Sequence, residues 1–120
     1  MELFRPSRIP RAAVTSPLFM GEVLVQPTAL PEGADYTLRV VTYTAGAQNV
    51  PHRHSSDQII IVTAGAGLVG AEQELLEVAP GDIVFIPALQ YHWHGANSHS
   101  EVTQVSITGA SSVTEPQPVA

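Results

Sequence analysis

No segment of this 120-residue chain sustains a helical apolar period, while β-prone runs recur at close intervals and stop at glycine or proline. "FMGEVLVQ" (19–26) ends at Pro27. "YTLRVVTYT" (36–44) is rich in β-branched and aromatic residues and closes at Ala45-Gly46. "QIIIVTA" (58–64) stops at "GAG", and "GLVGAEQELLEVAPGD" (67–82) reads as a hairpin followed by a Pro80-Gly81 turn. "IVFIP" (83–87) and "EVTQVSI" (101–107) are two further strands. Only residues 71–78 have a helix-like composition, and so short a piece does not hold a helix alone. Many short strands joined by tight turns predict an all-β fold, an antiparallel sandwich or small barrel.

The length suits one domain with a real core, and 44% apolar residues make it a globular composition. The expected division is an N-terminal arm (1–15), a barrel (16–110) and a small, polar, proline-bearing tail (111–120) that frays. The absence of cysteine excludes disulfides and thiolate ligands. The longest strongly apolar run, Ile59–Val62, is far short of a membrane span. "MELFRPSRIPRAA" lacks the apolar core of a signal peptide, so a cytoplasmic location is expected. The net charge is −6 and there is no lysine. Arg5, Arg8 and Arg11 sit in the lead-in, and the rest of the chain sets Arg39 and Arg53 against ten acids. A body so charged repels phosphate backbones, which argues against nucleic-acid binding.

The chemistry is carried by histidine. In "PHRHSSDQIIIV", His52 and His54 are two apart and share a face if that segment is extended. "HWH" repeats the spacing at His92 and His94. Two same-face pairs on segments that can be neighbours in a small barrel form a candidate site for a divalent metal. Gln58 is either a fourth ligand or a strand-end residue, and Asp57 falls on the opposite face of the strand. Tyr91 and Trp93 alternate with the histidines and are expected to pack away from them, and His99 sits in a polar turn.

These residues carry a resemblance. "GAQNVPHRHSSDQIIIVTAG" (46–65) resembles the first cupin motif, with Gly46, His52, His54 and Gly65 in place and Gln58 at the glutamate position. "GDIVFIPALQYHWH" (81–94) resembles the second motif through Gly81, Pro87 and His92. Leu89 stands where that motif has glycine, and Ala96 stands where it has asparagine. The layout from 16 to 107 is similar to small single-domain bacterial cupins. The resemblance implies an antiparallel double-sheet jelly-roll barrel, a homodimer, and one divalent first-row metal held by His52, His54, Gln58 and His92. Manganese or iron is the first expectation, with nickel, cobalt and zinc also chemically suited to such N/O ligands. Glutamine at that position together with "HWHGA" is similar to a subgroup that includes manganese-dependent hydroxynitrile lyases and cupins associated with carboxymuconolactone decarboxylase.

The remaining site residues have two readings each. His94 is a pocket acid/base or a hydrogen-bonded neighbour of the site. Tyr43 lines the pocket or belongs to the core. Arg39, amid apolar residues, either faces the pocket and takes an anionic substrate or pairs with an acid on the solvent face. Gln104 aligns with a histidine thought to be the base in the hydroxynitrile-lyase-like subgroup, and glutamine cannot take a proton at neutral pH. The first functional expectation is an enzyme that uses its metal as a Lewis acid on a small, anionic molecule in redox-neutral lyase, isomerase or decarboxylase chemistry. A non-catalytic module binding a sugar or small acid is the alternative, and a cupin dioxygenase is the third.

Overall fold

The computed structural model describes residues 1–119. Apart from a 3₁₀ turn at Pro6–Arg8, its elements are strands: β1 (Ala12–Ala13), β2 (Phe19–Met20), β3 (Val23–Gln26), β4 (Tyr36–Tyr43), β5 (Gln48–Asn49), β6 (His52–His54), β7 (Gln58–Gly65), β8 (Gly67–Ala71), β9 (Glu74–Val78), β10 (Ile83–Ile86), β11 (His92–Ala96), β12 (Val102–Gly109) and β13 (Thr114–Pro116). They form two antiparallel sheets. One has the order β1-β3-β4-β12-β7-β10. The other runs β13-β6-β11-β5-β2, with β8 pairing β11 and β9 pairing β8. No helix among the described residues is long and apolar enough to cross a membrane.

The core is the set of inward residues on these strands. Val41 and Tyr43 on β4, Ile60 and Val62 on β7, Val69 on β8 and Val102 on β12 are buried together. The period of two is clean on β7, where Gln58, Ile60 and Val62 face in and Ile59 and Thr63 face out. That register puts Gln58 on the inner face and Asp57 outside it, where the Asp57 carboxylate accepts the Ala88 N–H at 2.9 Å.

Two expectations need correction. Residues 19–26 are not one strand: β2 pairs with β5 in one sheet and β3 with β4 in the other. Gly21 makes the switch with a φ of +87°, which any side chain would resist. Residues 114–116, expected to fray, are β13, paired to β6 across His54, Arg53 and His52. Arg53 points outward, bonding Glu115 at 2.9 Å and lying 4.9 Å over the Tyr91 ring. The Gln117 N–H reaches the Pro51 carbonyl at 2.9 Å. A polar composition misled here because edge pairing draws on backbone groups that composition does not reveal. The arm is also docked, since β1 pairs with β3 and the Gln26 amide donates to the Ile9 carbonyl at 2.7 Å.

Leu89 adopts a φ of +69°, alone among the described non-glycine residues in being positive. This is the position at which the second motif has glycine. Holding an L-residue there costs roughly 1–2 kcal/mol. The turn it makes is tied to the site, because the Leu89 N–H donates to the His54 carbonyl at 2.8 Å.

Candidate metal centre

His52 on β6 and His92 on β11 are direct cross-strand partners, and their ring centroids are 4.5 Å apart. His54, two residues along β6, lies 4.9 Å from His52 and 5.4 Å from His92. One ligand atom from each of the three lies within 4.8 Å of the others. The expectation that the two motifs meet in space therefore holds. Gln58 comes from the facing sheet, with its Oε1 2.9 Å from His92 Nε2.

The hydrogen bonds settle which nitrogens look inward. His52 Nδ1 lies 2.7 Å from the Val50 carbonyl, and His92 Nδ1 lies 2.9 Å from the Gln90 carbonyl. A carbonyl only accepts, so both Nδ1 atoms carry the hydrogen and both Nε2 lone pairs face the centre. His54 Nδ1 is held by Thr114 Oγ1 at 2.9 Å, and among the described residues its buried Nε2 has no hydrogen-bond partner. A buried polar atom without a partner is costly, and a cation at the centre would supply one. Gln58 adds to this argument, because its amide group donates to Ser106 Oγ at 2.9 Å and so turns its oxygen toward the His92 lone pair. Two acceptors facing each other want a positive ion between them. Three imidazoles and an amide oxygen thus fit a divalent first-row metal.

Burial shapes the titration of these rings. It pushes His92 down to about 4 and, with the neighbouring His52, His54 to about 4. His52 is lowered for the same reason, only partly offset by its Val50 bond. In the unfolded chain a histidine titrates near about 6.5. Between those values the unfolded state binds more protons, so stability is complete above about pH 6.5 and is lost as pH falls toward 4. Metal-free protein is therefore expected to hold a constant melting temperature from pH 8 to 7 and to lose it steeply below pH 6.5. A flat profile down to pH 4.5 would mean the rings are not held neutral.

His94 is buried beside the cluster, 5.7 Å from His92 and stacked on it. Asn49 fixes it. Its oxygen accepts the His94 backbone N–H at 2.8 Å, which aims its amide group at His94 Nε2 (3.1 Å) and at the Tyr43 hydroxyl (3.2 Å). The Gln104 amide lies 2.9 Å from His94 Nδ1. Each ring nitrogen thus faces an amide group, and the neutral ring accepts from one of them and offers its own N–H to the other. Burial, followed by the charges of the other three rings, holds its pKa well below the ordinary value. Burial likewise raises the Tyr43 hydroxyl.

A cavity of about 240 Å³ opens onto the centre, lined by His52, His54, Gln58 and His94 with Tyr43 and Arg39. Tyr43 serves both as core and as wall. Arg39 faces the cavity, yet it is solvent-accessible rather than buried, and among the described residues it has no ion-pair or hydrogen-bond partner. Gln104 does not line the cavity and reaches it only through His94. Trp93 packs over Gly70 away from the site, and His99 is exposed. Sequence reasoning missed Asn49 and Thr114. Nothing distinguishes Asn49 from an ordinary strand residue, and Thr114 lies in the segment expected to fray.

The family model for the cupin domain (Cupin_2) matches residues 39–108, which contain every one of these ligand candidates. The chain is a cupin. It is 35% identical over 91 residues to an (R)-mandelonitrile lyase of Granulicella tundricola, a match covering 74% of this chain and 70% of that protein. Among solved structures, a cupin-like protein of Thermotoga maritima is 26% identical with a TM-score of 0.81, covering 98% of this chain and 89% of that one. The polyketide cyclase RemF of Streptomyces resistomycificus is 18% identical with a TM-score of 0.85, covering 100% and 87%, and shares the fold. The jelly-roll barrel expected from the two motifs is confirmed, as is the likeness to hydroxynitrile-lyase cupins, since mandelonitrile is itself a hydroxynitrile.

Proposed function

We infer that this cupin is a metal-dependent enzyme that cleaves a bond in a small organic molecule without net oxidation. The observation that carries the reading is the convergence of three imidazole nitrogens, one of them buried and without a partner among the described residues, beside a cavity that two of the rings line. The ligand set is His52, His54, Gln58 and His92, and its N/O character suits manganese, iron, cobalt, nickel or zinc. A bound divalent ion supplies Lewis acidity toward a substrate oxygen. The lyase relative supports the reaction class.

The chain's own residues narrow that class. His94 is buried, which holds its pKa well below the ordinary value, so it walls the cavity and does not accept a proton near neutral pH. Tyr43 is held by Asn49. Gln104 cannot act as a base. Enolisation and cleavage of a hydroxynitrile, which both need a base to take a proton, are therefore disfavoured against decarboxylation, in which carbon dioxide leaves and the bonding pair passes to a polarised carbonyl beta to the carboxylate, solvent returning the proton. The lack of a free base also favours a second reading, a binding module that holds a small acid without turnover. An outward apolar row of Ile59, Ile83 and Phe85, where β7 pairs with β10, supports the homodimer expected of the family.

The test is a panel of small oxo and hydroxy acids given to metal-loaded protein in an oxygen-electrode cell, with product analysis. Cleavage without oxygen uptake is expected. Saturable binding with no product would select the binding module, and substrate-dependent oxygen consumption would select the dioxygenase.

A further inference from the structure

The cavity has a wall that the metal reading leaves unused. On β4 and β12 the cross-strand pairs are Thr37 with Thr108 and Arg39 with Ser106. All four side chains line the cavity, so one guanidinium stands among three hydroxyls on the face opposite β6. Among the described residues no aspartate or glutamate lines this cavity, although the chain carries eleven acids against five arginines. Acids are plentiful and none is placed here. Arg39 is thus a positive charge in a cavity where no described residue supplies a counter-ion.

Ser106 joins this wall to the histidine centre. Its Oγ accepts the Gln58 amide at 2.9 Å, which leaves the hydroxyl hydrogen free to donate into the cavity. An acceptor placed there meets the Ser106 O–H and the guanidinium fork together. Planar, two-oxygen anions match that fork. The Gln58 side chain, bonded to Ser106 at one end and 2.9 Å from His92 at the other, spans the gap between the anion position and the centre. One amide width is the reach of a carbon substituent next to a carboxylate. The volume, about 240 Å³, lies below the range of about 300–1,000 Å³ typical of pockets for larger ligands.

We propose that Arg39 and Ser106 form a carboxylate subsite, and that the cavity takes a short 2-oxo or 2-hydroxy acid with its carboxylate on Arg39 and its second oxygen toward the three histidines. The carboxylate half stands on Arg39 and Ser106 whether or not a metal is held; the second contact rests on the metal reading above.

The experiment uses metal-loaded protein whose metal content is measured independently. Pyruvate, acetate and pyruvamide are titrated by calorimetry into the wild type, Arg39→Gln and Arg39→Lys. Pyruvate is expected to bind more tightly than acetate, which lacks the second oxygen, and more tightly than pyruvamide, which lacks the charge. Arg39→Gln should weaken pyruvate by roughly 10- to 100-fold, the usual range for losing hydrogen bonds to a charged group. Arg39→Lys should recover only part of that, since an ammonium keeps the charge and loses the fork. Arg39 is accessible, so the variants are expected to melt with the wild type when no ligand is present. Pyruvate binding unchanged in Arg39→Gln, or pyruvamide bound as tightly as pyruvate, would overturn the subsite. Equal affinity for acetate and pyruvate with the Arg39 dependence intact would overturn the two-point mode. A protein without metal, seen by elemental analysis, would instead sink the reading of the histidines.

Discussion

Replacing His52 by alanine is expected to abolish the binding of a divalent metal while leaving the barrel folded. His52 sits at the middle of the cluster, between His54 and His92, and its ring is locked by the Val50 carbonyl. Partners that merely orient a ligand are worth about 10–100-fold in metal affinity, so losing a ligand outright should cost at least about 100-fold. The ring is buried, yet truncation removes a group that metal-free protein must keep neutral at a cost. The metal-free variant should therefore lose less stability in acid than metal-free wild type does. Elemental analysis after growth in metal-replete medium checks the first point, and a pH series of melting temperatures checks the second. Unchanged metal content in the variant would place the metal elsewhere.

The parts of this site that the sequence made legible are those set by strand periodicity. A two-residue spacing puts His52 with His54, and His92 with His94, on shared faces whatever surrounds them. Gln58 follows from the same rule, being in phase with Ile60 and Val62 on β7. The cross-strand pairing of His52 with His92 is different, because it depends on which of thirteen strands become neighbours. Only the likeness of the motifs to a known layout made that expectation possible. What stayed hidden was held by backbone pairing and by amides. Thr114 reaches His54 because β13 pairs with β6, and no hydrophobic pattern marks that edge. Asn49 determines the state of His94 through four atoms, none of which has a spacing rule. The result is that His94, which pairs with His92 by spacing, differs from it in chemistry. His92 presents a lone pair to the centre, whereas both His94 nitrogens face amide groups of Asn49 and Gln104.

Gln58→Glu is expected to tighten metal binding and slow turnover at once. Three neutral imidazoles and a glutamine amide leave a divalent centre with a charge of about +2, and a glutamate in the same place would leave about +1. Opposite charge at contact distance in a buried site is strongly attractive, so affinity should rise by an order of magnitude or more. The same charge weakens the pull on a substrate oxygen, and with it the Lewis acidity on which redox-neutral cleavage depends. It also makes oxidation of the ion easier, because an anionic ligand offsets the added positive charge. On the proposed reading, the wild-type glutamine would favour a centre that polarises over one that exchanges electrons. The structure shows how glutamine is kept there. Its amide group needs an acceptor and finds Ser106 Oγ at 2.9 Å, while its oxygen turns to the histidines. A glutamate would need Ser106 to donate instead, which turns the hydroxyl hydrogen away from the cavity. The variant should then lose part of the carboxylate affinity along with its activity. Competition with a chelator measures the metal affinity, steady-state turnover of whichever acid the panel identifies measures the second effect, and pyruvate calorimetry measures the third. Weaker metal binding in Gln58→Glu would remove Gln58 from the ligand set.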